Sequence, residues 1–450
     1  MSCFTKKERA RRSLGKIVLG VAAATMISSS PAIAQENTTL QAIFLPATWG
    51  VVVRDVLAPQ YEEETGVKVE VQLVGRGAIH DKMATLFAAQ DSSFDIFNLD
   101  YSWIPEFSSG GHLVPLDDQL TDEDRADFLT VALETGSWDG TLYGMPQTIH
   151  PHTLWYRADL YSDASIMAAY NEATGLDLAP PATMGEWLTQ VEFFHGREYD
   201  GQTIYGWAAQ AAKGFGNVHT WLSFLYTYGG TAFNEDFTKS TLSTPEAIAA
   251  TAQWAEMMKY MPPGASAFTY DDVTTSAQQG TVATALQWSW GAFAVDIPDS
   301  SKTVGDWQFV EVPSVNAGED SHAHLAAWVI SVSKYSKHVD EAKRFVTWLE
   351  TKENDVLQAS LGGGDPIRES SYSNSILTDE ILKGTDVKRF RRYDVVLDTM
   401  KNAMPRPFFP GEEAWETVVS GPLQAIQLGV NSVEDGLAEA DAAVDRLLSR

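Results

Sequence analysis

The sequence has a single cysteine, Cys3, among its 450 residues. Cys3 lies in a basic stretch and precedes an apolar run, whereas the lipid-bearing cysteine of a bacterial lipoprotein follows such a run. From residue 35 onward there is no cysteine, which excludes disulfides, thiolate metal sites and cysteine nucleophiles from that part of the chain. Folding there must depend on an apolar core alone.

Long apolar runs are also scarce. The run at 17–27 follows a basic region, precedes Ala32-Ile33-Ala34, and is too short to span a bilayer. This order is typical of an export signal. We predict a signal peptide over residues 1–34, cleaved after Ala34, and export to the periplasm. Arg11-Arg12 leaves the twin-arginine route open beside the Sec route.

Basic residues are few compared with acidic ones. The formal net charge is −28, and removal of the predicted signal peptide leaves 26 basic against 59 acidic residues, or −33. Such a field repels polyanions, and no basic stripe with interleaved aromatic residues interrupts it. We therefore expect no nucleic-acid partner and no binding to anionic membranes.

The sequence lacks the short motifs of nucleotide, serine-hydrolase and zinc-protease chemistry. Two His-x-His pairs, His150 with His152 and His322 with His324, place imidazoles on one face of a strand. We nevertheless predict no metal and no cofactor. Asp and Glu are so frequent that carboxylate pairs suited to glycoside hydrolysis arise by chance, so a secreted glycoside hydrolase stays open as an alternative.

The chain that follows the predicted signal peptide is too long for one ordinary domain and suits two domains of roughly 200 residues each. Three predicted strands between residues 41 and 100 alternate with helices, which indicates a parallel or mixed α/β sheet. Ligands of such sheets bind where strands end in loops. Trp49, Arg76 and Asp100 follow the first, second and third strands. We expect these three loops to face one cleft.

Five segments, at 59–69, 95–116, 142–160, 280–290 and 333–353, follow one another in an order that resembles a known family. They include Thr-Gly-Val-Lys-Val at 65–69 and Tyr-Gly-Met-Pro at 143–146. Together they resemble family 1 of the extracellular (periplasmic) solute-binding proteins of ABC transporters, the carbohydrate-binding, maltose-binding-protein-like type. The resemblance implies an α/β fold of two hinge-connected lobes with three chain crossings, and closure of the hinge around the ligand.

The resemblance also implies boundaries and a function. It places the crossings near 148–150, 312–313 and 361–364, so that 35–149 with 313–363 form the N-terminal lobe and 150–312 with 364–450 the C-terminal lobe. The implied function is capture of a neutral sugar or polyol and delivery to the membrane permease of an ABC importer, by a monomer that is not an enzyme. An anionic cargo such as a glycerol phosphate ester stays open, because Arg76 and Arg368 could create a local positive pocket.

A sugar or polyol presents hydroxyls that need hydrogen-bond partners and C–H faces that pack on aromatic rings. The predicted ligand-binding residues are Trp49, Asp100, His150, Trp221, Trp288, Trp290, Trp328, Asp365, Arg368 and Trp415, with Arg76 as a further candidate. Core packing is the alternative for each tryptophan, and a helix N-cap is the alternative for Asp100. Asp365 and Arg368 have the alternative of pairing with each other.

Overall fold

A computed structural model describes residues 38–449, so the predicted signal peptide at 1–34 lies outside the described residues. The strands are β1 (Thr39–Phe44), β2 (Lys68–Leu73), β3 (Ile96–Asp100), β4 (Ser137–Trp138), β5 (Thr141–Leu142), β6 (Met145–Arg157), β7 (Arg197–Tyr199), β8 (Gln202–Ala208), β9 (Val282–Trp288), β10 (Trp307–Val310), β11 (His324–Val332) and β12 (Met404–Pro405).

The α-helices are α1 (Thr48–Val52), α2 (Ala58–Thr65), α3 (Arg76–Ala88), α4 (Ile104–Ser109), α5 (Asp122–Asp127), α6 (Thr130–Thr135), α7 (Ala158–Ser162), α8 (Ala164–Thr174), α9 (Met184–Phe194), α10 (Phe215–Thr227), α11 (Pro245–Met257), α12 (Tyr270–Gln279), α13 (Ala292–Val295), α14 (Val339–Leu349), α15 (Lys352–Ser360), α16 (Ser375–Thr378), α17 (Tyr393–Met400), α18 (Glu412–Gln427) and α19 (Val433–Leu448). Among the helices between residues 38 and 449, none combines the length and apolarity needed to cross a membrane.

Local sequence signals fix several of these ends. Gly66 stops α2 in the left-handed conformation, at a φ of 78°, which a residue with a side chain adopts at a cost. Thr244 caps α11 by accepting a hydrogen bond from the backbone N–H of Ala247, and Pro245 occupies the first helical position. Both signals are readable in the sequence.

The sheet has the strand order β2-β1-β3-β11-β6-β9-β8-β7, with β12 beside β11 and β10 beside β6. Parallel pairs join β1 to β2, β1 to β3, β8 to β9 and β11 to β12. Strand β11 pairs antiparallel with β3 and β6, and β6 pairs antiparallel with β9 and β10. The mixed α/β sheet predicted from the alternation of strands and helices is thereby confirmed.

Strand β6 connects two parts of this sheet. Up to Pro151 it pairs with β11, and from His152 onward it pairs with β9. One apolar cluster packs on the β1, β3 and β11 side, and we call its elements the first lobe. Three further clusters all take residues from β8 and β9, and we call their elements the second lobe.

The segment after the glycine loop at 362–364 packs with the first lobe. Ile367, Leu377, Val396 and Met400 are buried in the first apolar cluster, and Trp415 is the next large side chain in a second-lobe cluster. The crossings, including the third at 361–364, and the lobe boundaries drawn from them stay a prediction.

Candidate functional site

A cavity of about 600 Å³ lies between the two lobes, where β3 and β9 end. From the first lobe it is lined by Leu45, Pro46, Ala47, Thr48, Trp49, Arg76, Asp100, Ala326, Trp328 and Gly362, and His150 of β6 joins them. From the second lobe it is lined by Gln210, Phe215, Tyr270, Asp271, Thr274, Trp288, Trp290, Gly291, Phe293, Ala294 and Ile297. Its size and aromatic lining are those of a small-molecule site.

Six of the ten predicted ligand-binding residues line this cavity, as does Arg76. They are Trp49, Asp100, His150, Trp288, Trp290 and Trp328. They converge because four of them lie on sheet strands, while Trp49 on α1 and Trp290 follow the ends of β1 and β9. In addition, Trp328 of β11 lies opposite both Asp100 and Thr148 in the strand register. The sheet thus brings together residues that are far apart in sequence.

The tryptophans form a continuous aromatic wall. Trp290 stacks on Tyr270, with ring centroids 4.8 Å apart and an interplanar angle of 10°. Trp49 meets Trp290 edge-on at 5.2 Å, and Trp328 lies 5.8 Å from Trp49. Since Trp49 and Trp328 come from the first lobe and Trp290 from the second, the wall spans the junction of the lobes. Flat faces of this kind suit the C–H surface of a ligand.

Asp100 is held by two arginines instead of being free. Its Oδ2 accepts a hydrogen bond from Nη1 of Arg76 at 2.6 Å, and its Oδ1 accepts from Arg406 and from the hydroxyl of Ser102. Burial alone would raise the pKa of Asp100, but Arg406 and Arg76 outweigh burial and hold it well below its ordinary value. The carboxylate therefore stays ionised and orients Arg76.

Asp100 also makes the N-cap contact that was the alternative in the sequence. Its Oδ1 accepts a hydrogen bond of 3.2 Å from the backbone N–H of Ser102. Arg76, by contrast, keeps donors for a ligand, since no hydrogen bond in the described chain uses its Nε or Nη2. Its side chain is 26% exposed. At this corner of the cavity the group that faces a ligand is the guanidinium.

His150 supplies a neutral polar group among the rings. Burial lowers its pKa to about 3, although the charge of Asp100 opposes the shift. Its Nδ1 has no hydrogen-bond partner among residues 38–449. The imidazole lies between 5.5 and 6.2 Å from Trp49, Trp288 and Trp290, measured between ring centroids. An uncharged imidazole can exchange hydrogen bonds with a hydroxyl without preferring a charged ligand.

Two predicted tryptophans lie in the second-lobe core and not at the cavity. Trp221 is fully buried and donates its indole N–H to Oγ1 of Thr251 at 2.8 Å. Trp415 is equally buried and packs against Phe233, with ring centroids 6.1 Å apart. Both side chains point from helices into apolar packing, which was the alternative stated for each tryptophan.

The two charged candidates of the glycine loop also have structural partners. Asp365 pairs with Arg392 at 3.1 Å, and burial raises its pKa although Arg392 opposes the shift. Arg368 donates two hydrogen bonds to the backbone oxygen of Glu350. Neither residue lines the cavity, and they pair with other groups instead of with each other.

The loop contributes to the site through its backbone. Gly364 has a φ of 124°, and a Cβ built there would lie 2.2 Å from Oγ1 of Thr148 on β6. The close approach of the loop to β6 therefore requires glycine. Gly362 of the same loop lines the cavity.

Sequence reasoning missed several lining residues, among them Gln210, Phe215, Tyr270 and Phe293. Phe215 and Tyr270 stand at the first positions of α10 and α12. Gly214 before Phe215 and Thr269 before Tyr270 mark those helix starts in the sequence. No sequence signal shows that the two starts reach the same cavity.

The His-x-His pairs do not assemble a metal centre in the described chain. Across residues 38–449, no group of three or more His, Cys, Asp or Glu side chains could hold a metal ion. His152 instead hydrogen-bonds the hydroxyl of Ser223 at 2.8 Å, and His324 contacts His219 at 2.9 Å.

The sequence is similar to those of known binding proteins. A mannitol-binding protein of Pseudomonas aeruginosa is 22% identical over 401 residues, which cover 86% of this chain and 88% of that protein. A probable amino-acid ABC transporter periplasmic-binding protein of Sinorhizobium fredii is 26% identical over 325 residues, covering 70% of this chain and 69% of the relative.

A solved structure of an ABC transporter solute-binding protein from Agrobacterium radiobacter K84, in complex with ribitol, has the same fold. The TM-score is 0.77 at 22% sequence identity, over 91% of this chain and 98% of the other. The α/β fold of two lobes is thus shared. Residues 34–356 match the model of the bacterial extracellular solute-binding protein family, and the chain belongs to that family.

Proposed function

We propose that this protein captures a neutral sugar or polyol in the cavity between its lobes and delivers it to the membrane permease of an ABC importer. The observation that carries the proposal is the aromatic wall of Trp49, Trp290 and Trp328 around the uncharged imidazole of His150. It combines apolar faces with a neutral hydrogen-bonding group, as a hydroxyl-rich ligand requires.

Charge balance in the cavity supports a neutral ligand. Arg76 carries a positive charge toward the cavity, but the ionised Asp100 lies 2.6 Å from it. Arg76 is left with donors that can serve the oxygen atoms of neighbouring hydroxyls. The mannitol and ribitol named for the Pseudomonas and Agrobacterium proteins are ligands of this chemistry.

A second cargo class is favoured by one observation. The Nε and Nη2 donors of Arg76 form a fork of the kind that binds carboxylate and phosphate oxygens. An anionic ligand, such as a glycerol phosphate ester, is therefore the second candidate. The ion pair with Asp100 weighs against it, because a second anion would lie close to the first.

The role that we propose is binding without catalysis, carried out by an exported monomer. The N-terminal pattern of the sequence supports export, and N-terminal sequencing of protein recovered from the periplasm should begin at Gln35 if cleavage follows Ala34. Incubation with aryl glycosides should release no product. Turnover would favour the glycoside hydrolase alternative.

A thermal-shift panel tests the ligand class. Mannitol, ribitol, maltose, glycerol 3-phosphate and a set of amino acids are each added to the purified protein. A ligand that binds only the folded state stabilises it by about 2.7 kcal/mol at one hundred times its Kd, so the melting temperature rises. The proposal expects a rise with at least one sugar or polyol. A rise only with the phosphate ester, or only with amino acids, would overturn it.

A further inference from the structure

We propose that Arg406 is a latch that joins the two lobes in the closed state and thereby supports ligand capture. Arg406 directly follows β12, and its side chain is fully buried. It was not among the residues that the sequence singled out. The inference rests on the proposed capture of a ligand between the lobes, although closure itself can be measured without a ligand.

On the first-lobe side, Arg406 contacts the end of β3. Its Nη2 donates to Oδ1 of Asp100 and, at 2.7 Å, to the hydroxyl of Ser102. Its backbone N–H donates to the hydroxyl of Tyr101 at 2.7 Å. These contacts fix the oxygen of Asp100 that Arg76 does not use.

On the second-lobe side, the same guanidinium contacts α10 and α18. Its Nη1 donates to Nε2 of His219 at 2.8 Å and to Oε2 of Glu416 at 3.2 Å. Glu412 lies 3.4 Å from Nε of Arg406, without the geometry of a hydrogen bond. One buried cation thus holds polar groups from both lobes.

The hydrogen bonds on this side set the tautomers of two histidines. Because an arginine can only donate, Nε2 of His219 must accept, and its proton lies on Nδ1. That proton is donated to Nε2 of His324 at 2.9 Å, and Nδ1 of His324 then donates to the backbone oxygen of Met404. The hydrogen bonds thus lead from Arg406 through His219 and His324 back to Met404 of β12, two residues before Arg406.

Two further contacts cross the same junction and point to one closed arrangement. The guanidinium of Arg76 lies 4.2 Å from the ring centroid of Phe215, the first residue of α10. The indole N–H of Trp103 donates to Oε1 of Glu413 on α18 at 2.5 Å. Arg76, Phe215 and Asp100 all line the cavity, so the latch and the ligand site share residues.

The physical consequence is a coupling between closure and binding. Opening the lobes separates Arg406 from Asp100 or from His219 and Glu416, and hydrogen bonds of a buried charge are lost. A ligand held by both lobes adds its own contacts to the closed state alone. Removing the latch should therefore lower the closed population and, with it, the apparent affinity.

Spin-label distance measurements test this directly, because the chain has no cysteine after Cys3. In a Cys3→Ser background, labels are placed at Asp81→Cys on α3 and Asp299→Cys beyond α13, both exposed. The distances are measured without ligand and with mannitol, ribitol, maltose and glycerol 3-phosphate in turn. The variants compared are Arg406→Lys, Arg406→Met and Glu416→Gln.

The matched control is Arg157→Lys, a buried arginine that pairs with Asp159 and with the backbone oxygen of Gly280 inside the second lobe. We expect the ratio of closed to open molecules to fall about tenfold or more in the Arg406 variants and to stay unchanged in Arg157→Lys. Circular dichroism melting shows which variants fold. If Arg406→Met does not fold, Glu416→Gln still tests the latch.

Equal distance distributions in wild-type protein, Arg406→Lys and Glu416→Gln would overturn the latch. A wild-type protein that shows only the long distance, with and without every probe, would overturn it as well. A different result would show that the proposed function is wrong while the latch is right. No probe would then shorten the distance between the labels, but the distance distributions of ligand-free wild type and of the Arg406 variants would still differ.

Discussion

His152 packs against Trp288, with ring centroids 3.8 Å apart and an interplanar angle of 32°. Trp288 also lies within 5.7 Å of the rings of His150, His219 and His324, so four buried histidines surround one tryptophan of the cavity. Burial lowers the pKa of each of the four. The cavity wall therefore depends on imidazoles that stay neutral.

Stability should fall as the pH drops below about 6.5, the ordinary pKa of histidine. The folded pKa of His150 is about 3. Between pH 6.5 and pH 3, His150 is therefore protonated in the unfolded chain but stays neutral in the folded chain. Through His150 alone, the free energy of unfolding should decrease by about 2 kcal/mol at pH 5. Urea unfolding at pH 7 and pH 5 measures the loss.

Buried carboxyl groups stabilise the folded protein as the pH falls, and so oppose the effect of the histidines. A variant that lacks His150 but keeps these carboxyl groups is therefore the control. Burial raises the pKa of Glu412 to about 8 and that of Asp355 to about 6. Each therefore adds stability as the pH falls through its own folded pKa toward 5. His150→Gln keeps these acids and removes one histidine. Its loss between pH 7 and pH 5 should be smaller than that of the wild type, and an equal loss would refute the assignment.

Trp290→Ala should weaken ligand binding by at least about tenfold. The substitution removes the ring that stacks on Tyr270 and faces Trp49 across the lobes. An aromatic contact of this kind contributes about 1.5 kcal/mol or more when its buried area is included. Calorimetric titration with the ligand found by thermal shift measures the change. Trp221→Phe, in the core, should lower the melting temperature and leave Kd unchanged.

Asp100→Asn should destabilise the protein by about 3–5 kcal/mol, because it leaves the buried Arg406 with one carboxylate contact fewer. The control is Asp81→Asn, whose side chain is 92% exposed, and which should stay within about 0.5 kcal/mol of the wild type. Urea unfolding of both variants gives the comparison. Similar values for the two would contradict the role of Asp100 as a buried anchor.

Gly364→Ala should cost more than Gly384→Ala. Both glycines have a positive φ, but a Cβ at 364 would collide with Thr148 while a Cβ at 384 would meet no atom within 4 Å. Backbone strain alone should cost about 1–2 kcal/mol at Gly384, and the collision adds to it at Gly364. Thermal melting ranks the two variants, and equal losses would show that the loop can move away from β6.

Much of the fold follows from sequence periodicity. The sequence pattern predicts a helix over 184–194 and strands over 94–100 and 325–332. Helix α9 has those bounds, and β3 and β11 end at Asp100 and Val332 as predicted. Alternation and caps are local signals, so they are readable from the chain alone. The hairpin of β7 and β8 was missed although Asp200-Gly201, both at positive φ, is a strong turn signal.

Less of the candidate site than of the fold could be predicted from the sequence. Asp100 was found because ligands of α/β sheets bind where strands end, and Trp288 because the family resemblance implies cleft aromatic residues at the end of its strand. Asp365 and Arg392 are 27 positions apart, and nothing local shows that they pair. The entry of Phe215 and Tyr270 into the cavity likewise depends on how the second lobe packs, which is decided by contacts distant in sequence.

The most direct test of the account is a titration of the intrinsic tryptophan fluorescence, since Trp49, Trp288, Trp290 and Trp328 line the cavity. Mannitol, ribitol, maltose, glycerol 3-phosphate and amino acids are added in turn to wild-type protein and to Trp290→Ala. We predict a saturable change with one equivalent of a neutral sugar or polyol, weakened in the variant. Saturation only with the phosphate ester or an amino acid, or no saturable change with any neutral sugar or polyol, would contradict the account.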